Sequence, residues 1–211
     1  RHAAGQTVDQ YREASAKLFA RFAAVARDNP LATRRKGYSA EQIAEVNAEN
    51  PFVGFPYTKL MTASAFVDQS AAFIVVSEAR ADELGIPQDK RVYLHGEAHA
   101  HDTWFVSDRE RLDQSPAMRL TSRAALAQAG KTIADVDVFD IYSCFPSLVQ
   151  IACKELGISP DDKRGLTVTG GLPYFGGPGN NYVTHAIAEM VQSLRAAPGM
   201  KGLVTANGNY L

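Results

Sequence analysis

From Val8 to Asp28 apolar side chains return every three or four residues, at Tyr11, Leu18, Phe19, Phe22, Val25 and Ala26. That spacing predicts a helix with one buried face. Asn29-Pro30 stops it, because proline cannot continue a helix and biases its predecessor toward extended backbone. A second helix is predicted from Ser39, where S-A-E-Q has capping-box spacing, ending before Asn50-Pro51. No strand-like run stands out in the first 60 residues. Residues 71–77, AAFIVVS, form a short continuous apolar run rich in β-branched residues and predict a buried strand. The helix EARADELG follows, closed by Gly85, and VYLHGEAHAH is the next strand candidate.

Beyond residue 115 the pattern alternates. A helix over 116–129 leads to a strand over 136–142. A helix over 146–156 leads to a short strand, LTVTG, over 166–170. A Gly/Pro-rich loop then precedes a helix over 182–196, and KGLVTANGNYL reads as a final strand. Strands separated by helices predict parallel βαβ units, hence an α/β fold with helices packed on a mostly parallel sheet. A boundary is expected near residues 86–91. The chain starts without methionine and stops inside an apolar run, so both ends are expected to continue in a longer polypeptide.

Composition narrows the classes. The 211 residues are 45% hydrophobic and 21% charged with a formal net charge of −1, ordinary for a globular domain. A near-neutral balance leaves no electrostatic footprint for nucleic acid or an anionic membrane. No apolar stretch reaches the roughly 18 residues of a membrane span. The two cysteines, Cys144 and Cys153, are no disulfide framework and suit a reducing, cytoplasmic setting.

In open parallel sheets ligands bind beyond the carboxyl ends of the strands. Three such ends carry unusual residues here: Tyr142-Ser143-Cys144, the loop 170–181, and Asn207-Gly208-Asn209. GGLPYFGGPGNNY holds five glycines and two prolines, either a turn or a loop whose backbone amides approach a ligand. Cys144, near a helix start, is either a thiolate favoured by the dipole or a small buried hydrophobe. His185, on the next helix, is a candidate base for the same rim. Cys153, mid-helix, is packing. His95, Glu97, His99 and His101 alternate along a predicted strand and share one face. Neighbours two apart lie nearly 7 Å from one another by strand rise, however, so a polar wall is expected rather than a metal, with Asp102 orienting a histidine. Tyr57 and Lys59, with Arg34 and Arg35, are candidates for a phosphate-bearing ligand.

With these ends side by side, the chain resembles the C-terminal half of a thiolase-superfamily protein, of the sterol-carrier-protein type or the actinobacterial thiolase-like acetyl-CoA acetyltransferases. FPYTKLMTASAFVDQSAAFIVVSEARADELGI resembles the end of the N-terminal thiolase domain. SPAMRLTSRAALAQAGKTIADVDVFDIYSCFPSLVQIACKELGI resembles the stretch carrying the NEAF or HDCF strand end. GGLPYFGGPGN is similar to the GGxxxxGHPxG loop, and GLVTANG to the strand of the CxG motif. The resemblance implies a thiolase-like fold, a mixed, mostly parallel sheet with helices on both faces. Residues 1–88 would hold loop-domain helices and the end of the N-terminal domain, and 89–211 a C-terminal domain lacking its last strands.

Carried over position by position, the resemblance puts Tyr142 where the family has asparagine or histidine. Ser143 falls at the acidic position, Cys144 at the flanking cysteine, Gly177 at the GHP histidine and Asn207 at the CxG cysteine. The acyl-accepting cysteine belongs to a stretch outside this chain. Glycine and asparagine move no proton, so the usual acid/base residues are replaced and Cys144 shapes the pocket. The implied ligand is coenzyme A or an acyl-CoA, with no tightly bound cofactor. Tyr142, Tyr174, Asn180, Asn181 and His185 would surround the thioester. The implied partners are the missing N-terminal domain, a second copy, or a small OB-type protein. Three functions follow: acyl transfer in lipid or sterol metabolism, a carbon–carbon lyase using Tyr142 or His185, or a non-catalytic CoA-binding or docking module.

Overall fold

Thr7 opens the longest helix. Its hydroxyl accepts from the Gln10 amide at 3.2 Å while the Gln10 side chain accepts from the Thr7 amide at 2.9 Å, a reciprocal capping box. Helix α1 then runs Val8–Asp28. The computed structural model describes residues 1–208. After α1 come α2 (Ala40–Ala44), a hairpin of β1 (Phe52–Gly54) and β2 (Tyr57–Thr58), α3 (Glu78–Glu83), α4 (Pro116–Gln128), β3 (Val138–Asp140), α5 (Pro146–Leu156), α6 (Tyr182–Ala196) and β4 (Gly202–Val204). The long helices fall where periodicity and caps predict them.

β3 and β4 pair in parallel, with Val138 opposite Gly202 and Asp140 opposite Val204. The α5 and α6 helices lie between them in the chain. The core gathers around α1: Phe19 and Phe22 meet Phe139, Ile141, Val149, Tyr174, Phe175 and Tyr182 in one buried cluster. It draws on both sides of the expected 88/89 boundary. The described fold is α/β, as its alternation predicts, with the pairing confined to two two-stranded sheets.

Several strand expectations are corrected. Residues 71–77 form no ladder among the described residues, and Ile74 is 87% and Val75 75% exposed. A buried strand needs hydrogen-bonded neighbours and an opposing layer, and nothing in residues 1–208 supplies them here. Residues 92–101 likewise carry no strand. Gly96 instead lies against α4, so closely that a Cβ would sit 2.1 Å from the Ala125 carbonyl oxygen. At 166–170 the Ile141 amide donates to Leu166 O at 2.8 Å, but the following polar groups turn to a side chain, Asp140, rather than to a ladder. The first 60 residues do contain strands, β1 and β2. The helix after Ser39 stops at Ala44 because the Asn50 side-chain amide captures the carbonyls of Gln42, Ile43 and Glu45. The last predicted strand narrows to Gly202–Val204, and its tail, 209–211, including Asn209, lies outside the described residues.

Candidate functional site at the strand ends

Beyond β3 the chain continues through buried Ile141, Tyr142 and Ser143 to half-buried Cys144. The Tyr142 amide donates to Thr205 Oγ1 at 2.8 Å, and the Thr205 amide donates to Asp140 O at 3.0 Å. These bonds tie the exit of β4 to that of β3. Ser143 Oγ accepts from the Leu172 amide at 3.1 Å. The Cys144 carbonyl accepts from Ala63 N–H at 3.1 Å, Leu172 O from Ser64 N–H at 3.0 Å, and Ser64 O from Gly177 N–H at 2.8 Å. The 142–144 end, the glycine loop, the start of the segment after β4 and residues 63–64 therefore meet in one place. Asn207 sits half-buried a short way past Thr205.

Two glycines make this approach feasible. Gly171 has φ +77°, and a Cβ there would fall 2.5 Å from Phe22 Cδ1 and 2.6 Å from Ser143 Oγ. At buried Gly177 a Cβ would lie 3.2 Å from Leu172 Cδ2 and 3.6 Å from Ala63 Cβ. At Gly171 the backbone fits only without a side chain, whereas at Gly177 the Leu172 side chain would have to give by a few tenths of an ångström.

The proton chemistry of the strand end is muted. Burial pushes the Tyr142 hydroxyl up, with Cys144 beside it adding to the shift. Burial also raises the Cys144 thiol, and the Tyr142 hydroxyl only partly offsets this. Both groups hold their protons at neutral pH, so Cys144 is no activated thiolate. Cys153 is fully buried and pushed up to about 12.

His185 lies lower than a rim position. It is 5% exposed, its Nδ1 faces the Asn181 carbonyl at 2.9 Å, and its ring packs edge-on against Phe175. Its Nε2 is buried without a partner among the described residues. Tyr174 is also wholly inside, its unpartnered hydroxyl raised by burial. Asn180 is exposed and Asn181 half-buried. Tyr57 shares a 2.7 Å hydroxyl–hydroxyl bond with Tyr11 and stacks on Phe145, next to the strand end. Exposed Lys59 lines an open polar cavity of about 280 Å³ with Arg34, Tyr38, Glu49 and Leu60. Arg34 reaches the glycine loop, donating from its guanidinium to Pro173 O at 3.2 Å and from its amide to Tyr174 O at 2.9 Å.

The HGEAHAHD run stays apart from all of this. His95, Glu97, His99 and His101 are exposed, and among the described residues no three His, Cys, Asp or Glu side chains gather as metal ligands. Asp102 orients no histidine. It caps α4, accepting from the Ser115 hydroxyl and from the Ala117 amide at 2.9 Å.

One residue escaped the sequence reading: Asp140. It is fully buried, and its carboxylate accepts from the Tyr182 hydroxyl at 2.8 Å, from the Thr167 and Thr169 hydroxyls and from the Val168 and Thr169 amides. Burial pushes its carboxyl up while the Tyr182 hydroxyl and the other donors pull it back. The available signal was a charged residue inside the apolar run VFDIY, since such residues are buried only when partnered.

A family described as thiolase C-terminal domain-like matches residues 98–179. A probable acetyl-CoA acetyltransferase of Mycolicibacterium smegmatis is 29% identical over 135 residues, 62% of this chain and 32% of that protein. A 3-ketoacyl-CoA thiolase of Pseudoalteromonas translucida is 32% identical over 117 residues, 56% of this chain and 28% of its own. The crystal structure of a monomeric SCP2-thiolase-like protein type 1 from Mycobacterium smegmatis superposes with a TM-score of 0.89 at 40% identity, covering 99% of this chain and 46% of that one. The chain thus spans about a third of its curated relatives' length and under half of the solved structure's.

Proposed function

Because the chain belongs to the thiolase superfamily and is acetyl-CoA-acetyltransferase-like, we propose that it supplies the acyl-CoA-holding side of a protein that transfers acyl groups to or from CoA thioesters in lipid or sterol metabolism. The observation that carries this reading is the meeting of the 142–144 end, the 170–177 loop and the exit of β4. In this reading Tyr142, held protonated, donates a hydrogen bond to the thioester oxygen. Ser143, Gly177 and Asn207 shape the acyl pocket, Asn180 and Asn181 stand at its mouth, and Tyr57, Lys59 and Arg34 face the phosphate-bearing end. Residues 1–88 and 89–211 act as two parts around one core, in a cytoplasmic protein.

Binding without turnover is our reading for residues 1–211 alone. The raised Tyr142 hydroxyl and Cys144 thiol are poor proton acceptors, Gly177 and Asn207 have no titratable group, and His185 is buried edge-on against Phe175. The same facts argue against a lyase with Tyr142 or His185 as base. Chemistry would need groups from the further length that the relatives possess. We assign that length a second task, covering the apolar side chains from Phe66 to Val106 that stand exposed here.

Calorimetry with acetyl-CoA tests the reading, alongside thioester loss from acetoacetyl-CoA and CoA. Binding without thiolysis is expected, and Tyr142→Phe should weaken it by about 1 kcal/mol, one hydrogen bond. No heat at millimolar ligand would sink the binding assignment, and thiolysis by residues 1–211 would sink the claim that reagents come from elsewhere.

A further inference from the structure

The carboxylate of Asp140 lies at the centre of the joint between β3 and the glycine loop, yet it faces no cleft. Oδ2 accepts from Thr167 Oγ1 at 2.9 Å, Val168 N at 3.0 Å, Thr169 N at 3.2 Å and Thr169 Oγ1 at 3.0 Å. Oδ1 accepts from the Tyr182 hydroxyl at 2.8 Å. The two amides can only donate, so Oδ2 is an acceptor whatever the hydroxyls do. With their protons turned to that oxygen, Thr167 and Thr169 present lone pairs outward. Thr167 Oγ1 accepts from Gly170 N–H at 2.9 Å and Thr169 Oγ1 from Gly171 N–H at 3.0 Å. The next amide, that of Leu172, goes to Ser143 Oγ at 3.1 Å. Three consecutive loop amides are thus held by side chains, two of them through hydroxyls that Asp140 orients.

The same network reaches Tyr142. The Tyr182 ring, whose hydroxyl bonds Asp140, stands edge-on to the Tyr142 ring at 5.6 Å and to Phe175 at 6.3 Å. Loop, helix α6 and strand end are therefore referenced to one buried carboxylate.

We propose that Asp140 is a positioning residue: through Thr167, Thr169 and Tyr182 it fixes the 170–172 backbone against the Tyr142–Ser143 strand end, in the shape the acyl-thioester pocket requires. The proposal rests on the acyl-CoA reading for its ligand but not for its geometry. Ordered networks of this kind hold only while every member is satisfied.

The test follows amide hydrogen exchange and acetyl-CoA affinity in residues 1–211 and three variants. Thr169→Val keeps the side-chain shape and removes the hydroxyl between Asp140 and Gly171. It is expected to raise exchange at Gly171 by about tenfold, the loss of one buried bond, with a smaller rise at the neighbouring Leu172, and to weaken acetyl-CoA by about fivefold or more, with α1 amides unchanged. Asp140→Leu should loosen 168–172 further; if it does not fold, Thr169→Val decides. Asp140→Asn is the rescue. It keeps an acceptor in the Oδ2 position, and its amide can donate to Tyr182, whose own proton turns to Thr169 Oγ1 at 2.6 Å. Loop exchange should return to within about threefold of the parent, well inside the effect of one lost bond.

Unchanged loop exchange in Thr169→Val would overturn the proposal. So would exchange raised equally in α1, which marks a merely structural loss, or a loosened loop with undiminished affinity. If the parent chain binds no acetyl-CoA, the proposed function fails, and loop exchange alone then decides the role of Asp140.

Discussion

Gly171 carries a positive φ of 77° with Phe22 and Ser143 already where a methyl would go. Gly171→Ala meets both obstacles at once, a left-handed backbone and overpacking. A loss of about 1–3 kcal/mol is expected, read as a lower urea midpoint at unchanged slope. Asp162 offers a pH signature at the same scale. Its carboxylate accepts from Arg164 Nε at 2.9 Å and Nη2 at 2.8 Å, while Nη1 donates to Ile133 O and Val136 O and the guanidinium lies over Phe139. The Arg164 side chain first, then its backbone amide, lowers Asp162 from 3.8 to about 2. A depressed carboxylate adds stability that is complete above its unfolded pKa and lost as pH falls through the folded one. The melting-temperature gap between the parent and Asp162→Asn should therefore be widest above pH 4 and close as pH falls to about 2. A gap that widened on acidification would contradict the pairing.

Helices α1, α4 and α5 are encoded locally. Their caps and stops are adjacent residues: Thr7 with Gln10 at the start of α1, Ser115 before Pro116, and Gly157 at φ +72° after α5. Thr7→Ala should cost about 1 kcal/mol by thermal or urea unfolding, and Gln10→Ala should act on the same box, so the two changes should not add fully. Strands lack this independence. AAFIVVS has the apolar, β-branched content of a strand, but a ladder requires a partner chosen by the whole fold. VDVFDIY finds one in β4, whereas 71–77 and 92–101 find none among the described residues. The apolar run in each case was readable, and its fate was not.

For the molecule as a whole, the segment from Phe66 to Val106 leaves Phe66, Ile74, Val75, Leu94, Trp104 and Phe105 largely exposed, and exposed apolar side chains that gather into a patch favour association. No helix among the described residues is long and apolar enough to cross a membrane. Residues 1–211 alone are expected to associate with rising concentration and to bind a hydrophobic dye, by sedimentation and fluorescence. A longer polypeptide including the remaining family length should do neither. A monodisperse, dye-silent chain would show that this surface needs no cover.

By itself the sequence determined the long helices, the order of strand ends and loop, and the family resemblance, because periodicity, caps and short motifs act between near neighbours. Tertiary structure alone decided that His185 and Tyr174 go inside, that Asp102 caps a helix, and that Asp140 gathers the loop. Each outcome depends on which distant groups arrive to satisfy a buried polar atom, and a linear pattern does not contain that information.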